Sequence, residues 1–203
     1  PIKSSAASDV YKRQVQSNIN QFGALAMAGC GSYSKIEGFG FIPVTCFSQA
    51  LTTFIGQNLG AKEYDRTKKG ALFGTICGIG IAEVIGIAVF FFSPYLIAAF
   101  GGDQKAIEYG IAEAHTIALF YCLLAFSHCM AAIQRGAGRS IVPMFVMMLV
   151  WCGVRVTYIS IVIRIIPVIN VIYWAYPLTW FISSVIFLIL FLKTDWIHGL
   201  EKQ

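Results

Sequence analysis

Five apolar stretches, each long enough to cross a bilayer, follow one another with only short polar breaks between them. They cover residues 24–60, 71–99, 107–133, 141–163 and 168–192. A hydrocarbon core of about 30 Å needs roughly 20 helical residues at about 1.5 Å each. Inside that core every backbone N–H and C=O must be satisfied within the segment, so each stretch reads as a helix. A soluble alternative lacks a charged shell. Charged residues are 12% of the chain, against about 25% in a soluble domain, and the mean hydropathy is +0.70. The fold class is all-α: a polytopic transmembrane helix bundle.

The net charge of +5 does not describe a nucleic-acid binder, because the basic residues sit between apolar runs rather than on one patch. Lys62, Arg66, Lys68 and Lys69 fill the first break, and Lys105 stands alone in the second. Arg135 and Arg139 fill the third, Arg164 borders the fourth, and Lys193 and Lys202 follow the last run. Richer breaks alternate with poorer ones. The positive-inside rule then puts 61–70, 135–140 and the C-terminus in the cytoplasm, with a bacterial inner membrane as the expected location.

Residues 1–14 open on Pro1, are polar and lack the apolar core of a signal peptide. They resemble translated adaptor sequence, and the natural protein is expected to begin well upstream. Residues 14–27 read as the tail of a helix, the end of a sixth span. Residues 15–203 form one transmembrane lobe, with lipid as its surroundings.

Cys30, Cys46, Cys77, Cys122, Cys129 and Cys152 form no C-x-x-C pair and fall mostly in apolar runs. They read as small hydrophobes packed between helices. His115 and His128 are off-face for a helical metal pair, so no metal site is expected. Asp9, Asp65, Asp103 and Asp195 all lie outside the spans. With no Walker motif, H-E-x-x-H or G-x-S-x-G, neither ATP hydrolysis nor membrane enzyme chemistry has a foothold, and no cofactor is implied.

Polar residues inside the spans are the remaining candidates. At about 100° per residue, Ser48 lies about 20° from Glu37, Thr52 about 60° and Thr45 about 80°. Tyr33 lies about 40° to the other side, and Lys35 and Gln49 belong to the same helix. That stripe faces either a water-filled cavity or a neighbouring helix; Lys35 and Glu37 have a third reading, at the outer interface. Pro43 predicts a kink. In the second span Gly70, Gly74, Gly78, Ala82 and Gly86 make one ridge for close helix approach. Glu83 lies beside it, either as a proton or cation relay or as a carboxyl bonded to a neighbour. Arg155 is inside the fourth span, where it pairs with a carboxylate such as Glu83 or snorkels. Tyr121 and Phe126 lie deep enough to line a pocket for a flat cation.

The stretch 39–61 contains Pro43, Ser48, Gln49, Gly56, Gln57, Asn58, Gly60 and Ala61, and is followed by Tyr64-Asp-Arg66. It resembles the motif that ends the eighth helix of the multidrug and toxic compound extrusion (MATE) transporters. Arg135-Gly136-x-Gly138-x-Ser140 resembles the end of their tenth helix. Val171-x2-Trp174-x-Tyr176-Pro177 resembles their twelfth. The resemblance implies the C-terminal half of a twelve-helix transporter, whose missing N-terminal lobe is its partner and whose isolated lobe does not transport. It implies export of small organic cations by Na+ or H+ antiport, with alternating access. Glu37 and Glu83 are the coupling candidates. Tyr33, Lys35, Thr45, Ser48, Gln49, Thr52, Tyr121 and Arg155 are the cavity-lining candidates. Some members carry an acidic ion ligand one turn after a tyrosine in the tenth helix; here Tyr121 is followed by Ala125. Two other readings stand beside this one: a related lipid-linked glycan flippase, which would need a more cationic centre, and a non-transporting membrane scaffold.

Overall fold

The structure is a computed structural model, described here for residues 15–194 and Trp196. The segment 1–14 lies outside the described residues. Five helical spans cover Ala24–Gly60, Tyr64–Ala99, Gln104–Gly136, Ile141–Ile165 and Asn170–Lys193. A short helix over 15–20 precedes them, and among the described residues there is no strand. Each span lies where the hydropathy put it. The second begins seven residues earlier than expected because the polar run 64–70 continues the helix, with Asp65 in its first turn, where the helix dipole favours a carboxylate.

The connections are tight, so consecutive spans are antiparallel neighbours. Residues 61–63 and 137–140 close one end of the bundle, here called the basic end. Residues 100–103 and 166–169 close the far end. Gly138, at φ 77, lets the Arg139 N–H turn back to Gln134 O at 2.9 Å, which ends the third span. The same reversal follows the first span, where Glu63 N donates to Asn58 O at 2.9 Å. At the far end Asp103 caps the third span through Lys105 N at 2.9 Å.

The third span is the most enclosed and is the axis of the lobe. It packs on the first, second and fifth spans, and the fourth packs on the fifth. The glycine ridge of the second span faces inward as expected. Side chains of the first span cover Gly70 and Gly74, Cys129 covers Gly78, and Gly86 lies against Ala118 O.

First and third spans run parallel in a nearly constant register, residue i beside residue i + 80 or i + 81. Ser48 donates to His128 O at 3.2 Å and Thr52 to Ala132 O at 3.3 Å. Gly56 meets Gly136 O near the basic end, and Gly29 meets Gly110 near the far end. The expected motif residues Gly56 and Gly136 thus face each other across one seam.

Two irregularities interrupt the spans where the sequence gives no proline. The third passes through a 3₁₀ turn at Ala118–Phe120, and the fourth through a π-helical stretch at Met148–Val154. The prolines Pro43, Pro94 and Pro177 all lie inside helices.

Candidate functional site

The irregular turns place Tyr121 and Arg155 directly after themselves, pointing to the same region. Tyr121 is buried, and its hydroxyl lies 3.1 Å from that of the fully buried Tyr33. Glu37 follows one helical turn after Tyr33. Arg155 is buried rather than snorkelling. Its Nε and Nη2 donate to Thr179 Oγ1 at 3.0 and 2.6 Å, while Thr179 passes its own proton to main-chain carbonyls of its helix. The guanidinium stands 4.2 Å from the Tyr176 ring centre and 5.9 Å from that of Trp151. Arg155 lies within electrostatic range of Glu37. Trp180 closes the group, 6.1 Å from both Tyr121 and Tyr176. The centre is therefore a buried guanidinium inside aromatic walls, with the Glu37 carboxylate within its electrostatic range. Such walls bind flat cations through their ring faces.

The rest of the expected stripe divides. Ser48 and Thr52 are used in the seam with the third span. Arg135 reaches inward from the basic end and donates to Ser48 Oγ at 3.1 Å. Thr45 bonds Ile42 O of its own helix at 2.8 Å. Gln49 is exposed. Lys35 extends toward Phe100 at the far end, 5.1 Å from the ring centre. So the stripe is partly helix-to-helix bonding and partly a polar centre around Glu37.

Glu83 has a main-chain partner in the third span. Its Oε2 accepts from the Cys122 N–H at 3.2 Å, just after the 3₁₀ turn. A carboxylate at a freed helical N–H supports the restarted helix. Replacing Glu83 with leucine should cost about 1–3 kcal/mol of stability, because that N–H then stays unpaired in an apolar setting. Glu83→Gln keeps an acceptor and should lose far less. Thermal unfolding in detergent measures both, and equal losses would remove this role.

A family model described as MatE matches residues 10–166.

The chain belongs to the MatE family.

Among curated proteins, the MatE chain is 30% identical over 124 residues to the probable multidrug resistance protein NorM of Thermotoga maritima, covering 61% of this chain and 27% of that protein. It is 25% identical over 146 residues to the probable multidrug resistance protein YoeA of Bacillus subtilis, covering 70% and 31%. The chain thus spans less than a third of the length of these relatives. Among solved structures, MATE transporter ClbM in complex with Rb+ superposes with a TM-score of 0.86 at 17% identity, over 97% of this chain and 47% of that one. A MOP superfamily transporter from Pyrococcus furiosus, described as having a reverse polarity of its binding pocket, gives 0.85 at 17% identity, over 94% and 42%. At these identities the likeness establishes the fold. The MatE chain is a multi-pass membrane protein.

Sequence reasoning missed two polar groups of this MatE lobe. One is a hydroxyl cluster: Ser127 lies 2.9 Å from Ser183 and 3.1 Å from Ser184, and Trp151 Nε1 donates to Ser183 at 3.2 Å. The other is Glu113, buried in the third span. It lies on the face of the helix that Ala106, Gly110, Ala114 and Ile117 bury in the structure.

Proposed function

We propose that the complete protein is a secondary active exporter of small organic cations, driven by Na+ or H+ antiport, and that this chain supplies its C-terminal lobe. The observation that carries the reading is the buried Arg155 inside aromatic walls beside two helix irregularities, with Glu37 within its electrostatic range. The relatives' names as multidrug resistance proteins support the substrate class. Aromatic rings receive a flat cation, and Glu37 offers the negative charge for which substrate and coupling ion compete. An ion that binds one conformation better than the other shifts the balance between inward- and outward-open states. Apolar side chains such as Phe39 and Ile42 are exposed on the first span, as suits contact with a second lobe or lipid. The flippase reading has less support, since Glu37 offsets Arg155 and Lys35 is turned to Phe100. The C-terminus and the basic end are cytoplasmic in this reading.

The test uses the full-length protein in proteoliposomes with an imposed Na+ or pH gradient. Glu37→Gln should reduce gradient-driven efflux of a cationic dye at least about tenfold, equivalent to about 1.4 kcal/mol of transport driving interaction. Undiminished efflux would remove Glu37 from coupling, and dye efflux absent from the parent protein would remove the substrate class.

A further inference from the structure

A cleft opens at the basic end, between the last turns of the first span and the first turns of the second. Phe54 of the first span forms its floor. Glu63, Asp65, Arg66 and Lys69 line it from the second span, followed by Gly70 and Phe73. Gly70 makes room for the floor, because a Cβ there would collide with the Phe54 ring. That ring stands 6.0 Å from the Arg66 guanidinium, which places the cation over an apolar surface. All four charged side chains are exposed. Among the described residues none of the four is held in an ion pair.

Positions 63, 66, 70 and 73 share one face of the helix, and 65 and 69 lie beside it. From the end of the bundle inward come two carboxylates at 63 and 65, two cations at 66 and 69, then Gly70. The exposed apolar side chains Leu72, Phe73 and Ile76 follow. A phospholipid with an amine head group has the same order: ammonium outermost, then phosphate, glycerol and acyl chains. The centres of the acidic and basic pairs lie between three and four residues apart, about 5 Å at about 1.5 Å per residue, which a two-carbon ethanolamine linker can span. We propose that this cleft binds phosphatidylethanolamine from the leaflet at the basic end. The phosphate sits on Arg66 and Lys69, the ammonium on Glu63 and Asp65, and an acyl chain lies along Phe73 and Ile76. Both head-group contacts are charge-assisted hydrogen bonds. An anionic lipid would satisfy the cations and leave the carboxylates facing its negative charge. A choline head group has no N–H for them. Lys62 and Lys68 of the same run stand outside the lining and give this end its general attraction for anionic surfaces. The site needs only the fold and the membrane, so it stands apart from the exporter reading.

Native mass spectrometry of the 203-residue chain, delipidated in detergent and titrated with one phospholipid at a time, tests the proposal. With matched acyl chains, phosphatidylethanolamine should bind about tenfold tighter than phosphatidylglycerol or phosphatidylcholine. Glu63→Gln with Asp65→Asn should reverse the order, weakening phosphatidylethanolamine and strengthening phosphatidylglycerol, a gain that misfolded protein would not show. Arg66→Gln with Lys69→Gln should weaken both lipids about tenfold. Lys62→Gln with Lys68→Gln removes the same charge outside the cleft and should keep the preference for phosphatidylethanolamine. A parent chain that prefers phosphatidylglycerol, or equal losses in the two basic double variants, would overturn the proposal in favour of unspecific attraction to a basic surface. Glycerophosphoethanolamine, the head group without acyl chains, should not displace the lipid at equal concentration; displacement would overturn the lipid as the occupant.

Discussion

Arg155→Leu should destabilise the lobe by about 3 kcal/mol, the scale for removing one partner from a buried charged pair. Three losses add. Thr179 Oγ1 no longer receives two N–H donors. The ring face of Tyr176 loses a cation 4.2 Å away, a contact of about 2 kcal/mol when desolvated. Glu37 loses the opposite charge that acts on it. Arg155→Lys should recover only part, because an ammonium cannot span Thr179 and lie flat on Tyr176 together. The decisive measurement is a double-mutant cycle by denaturant unfolding in mixed micelles. If Glu37 and Arg155 are coupled, Glu37→Gln with Arg155→Leu will cost at least about 1 kcal/mol less than the sum of the two single changes. Strict additivity would show that Arg155 serves Thr179 and the rings alone.

The five spans were legible because bilayer thickness converts hydropathy into helix length with little dependence on tertiary context. The glycine ridge was legible for a similar reason: its period shows which face must approach another helix. Partners were not legible. Glu83 and Arg155 both stood out as charges inside spans, and pairing them was natural. The structure instead gives Glu83 to the Cys122 N–H, and that N–H is available because the third span breaks at 118–120. No proline or glycine marks the break. It lies where Gly86 of the second span packs against Ala118 O, a tertiary contact that the sequence does not show. Glu113 was missed because Glu108, Glu113 and His115 make the start of the third span look like an interface. Depth depends on how helices overlap, and the register that sets it, i beside i + 80 or i + 81, exists only between spans.

That register rests on a backbone contact at Gly29, and a single methyl there should be the most damaging small substitution in the lobe. A Cβ at Gly29 would collide with Ala106 O and stand 2.9 Å from Gly110 N. Both are main-chain atoms of the third span, so no side chain can turn aside. Gly29→Ala should therefore force the first and third spans apart at the far end. The expected cost is about 3 kcal/mol, the upper part of the range for overpacking. Gly31, two residues on, has nothing within 4 Å of its Cβ position. Gly31→Ala should be neutral or stabilise the helix by about 0.5–1 kcal/mol, since alanine loses less backbone entropy. The sign thus reverses between near neighbours on one helix. Loss of monodisperse protein with heating, followed by size-exclusion chromatography, separates the two. Equal behaviour would mean that the spans do not cross at Gly29.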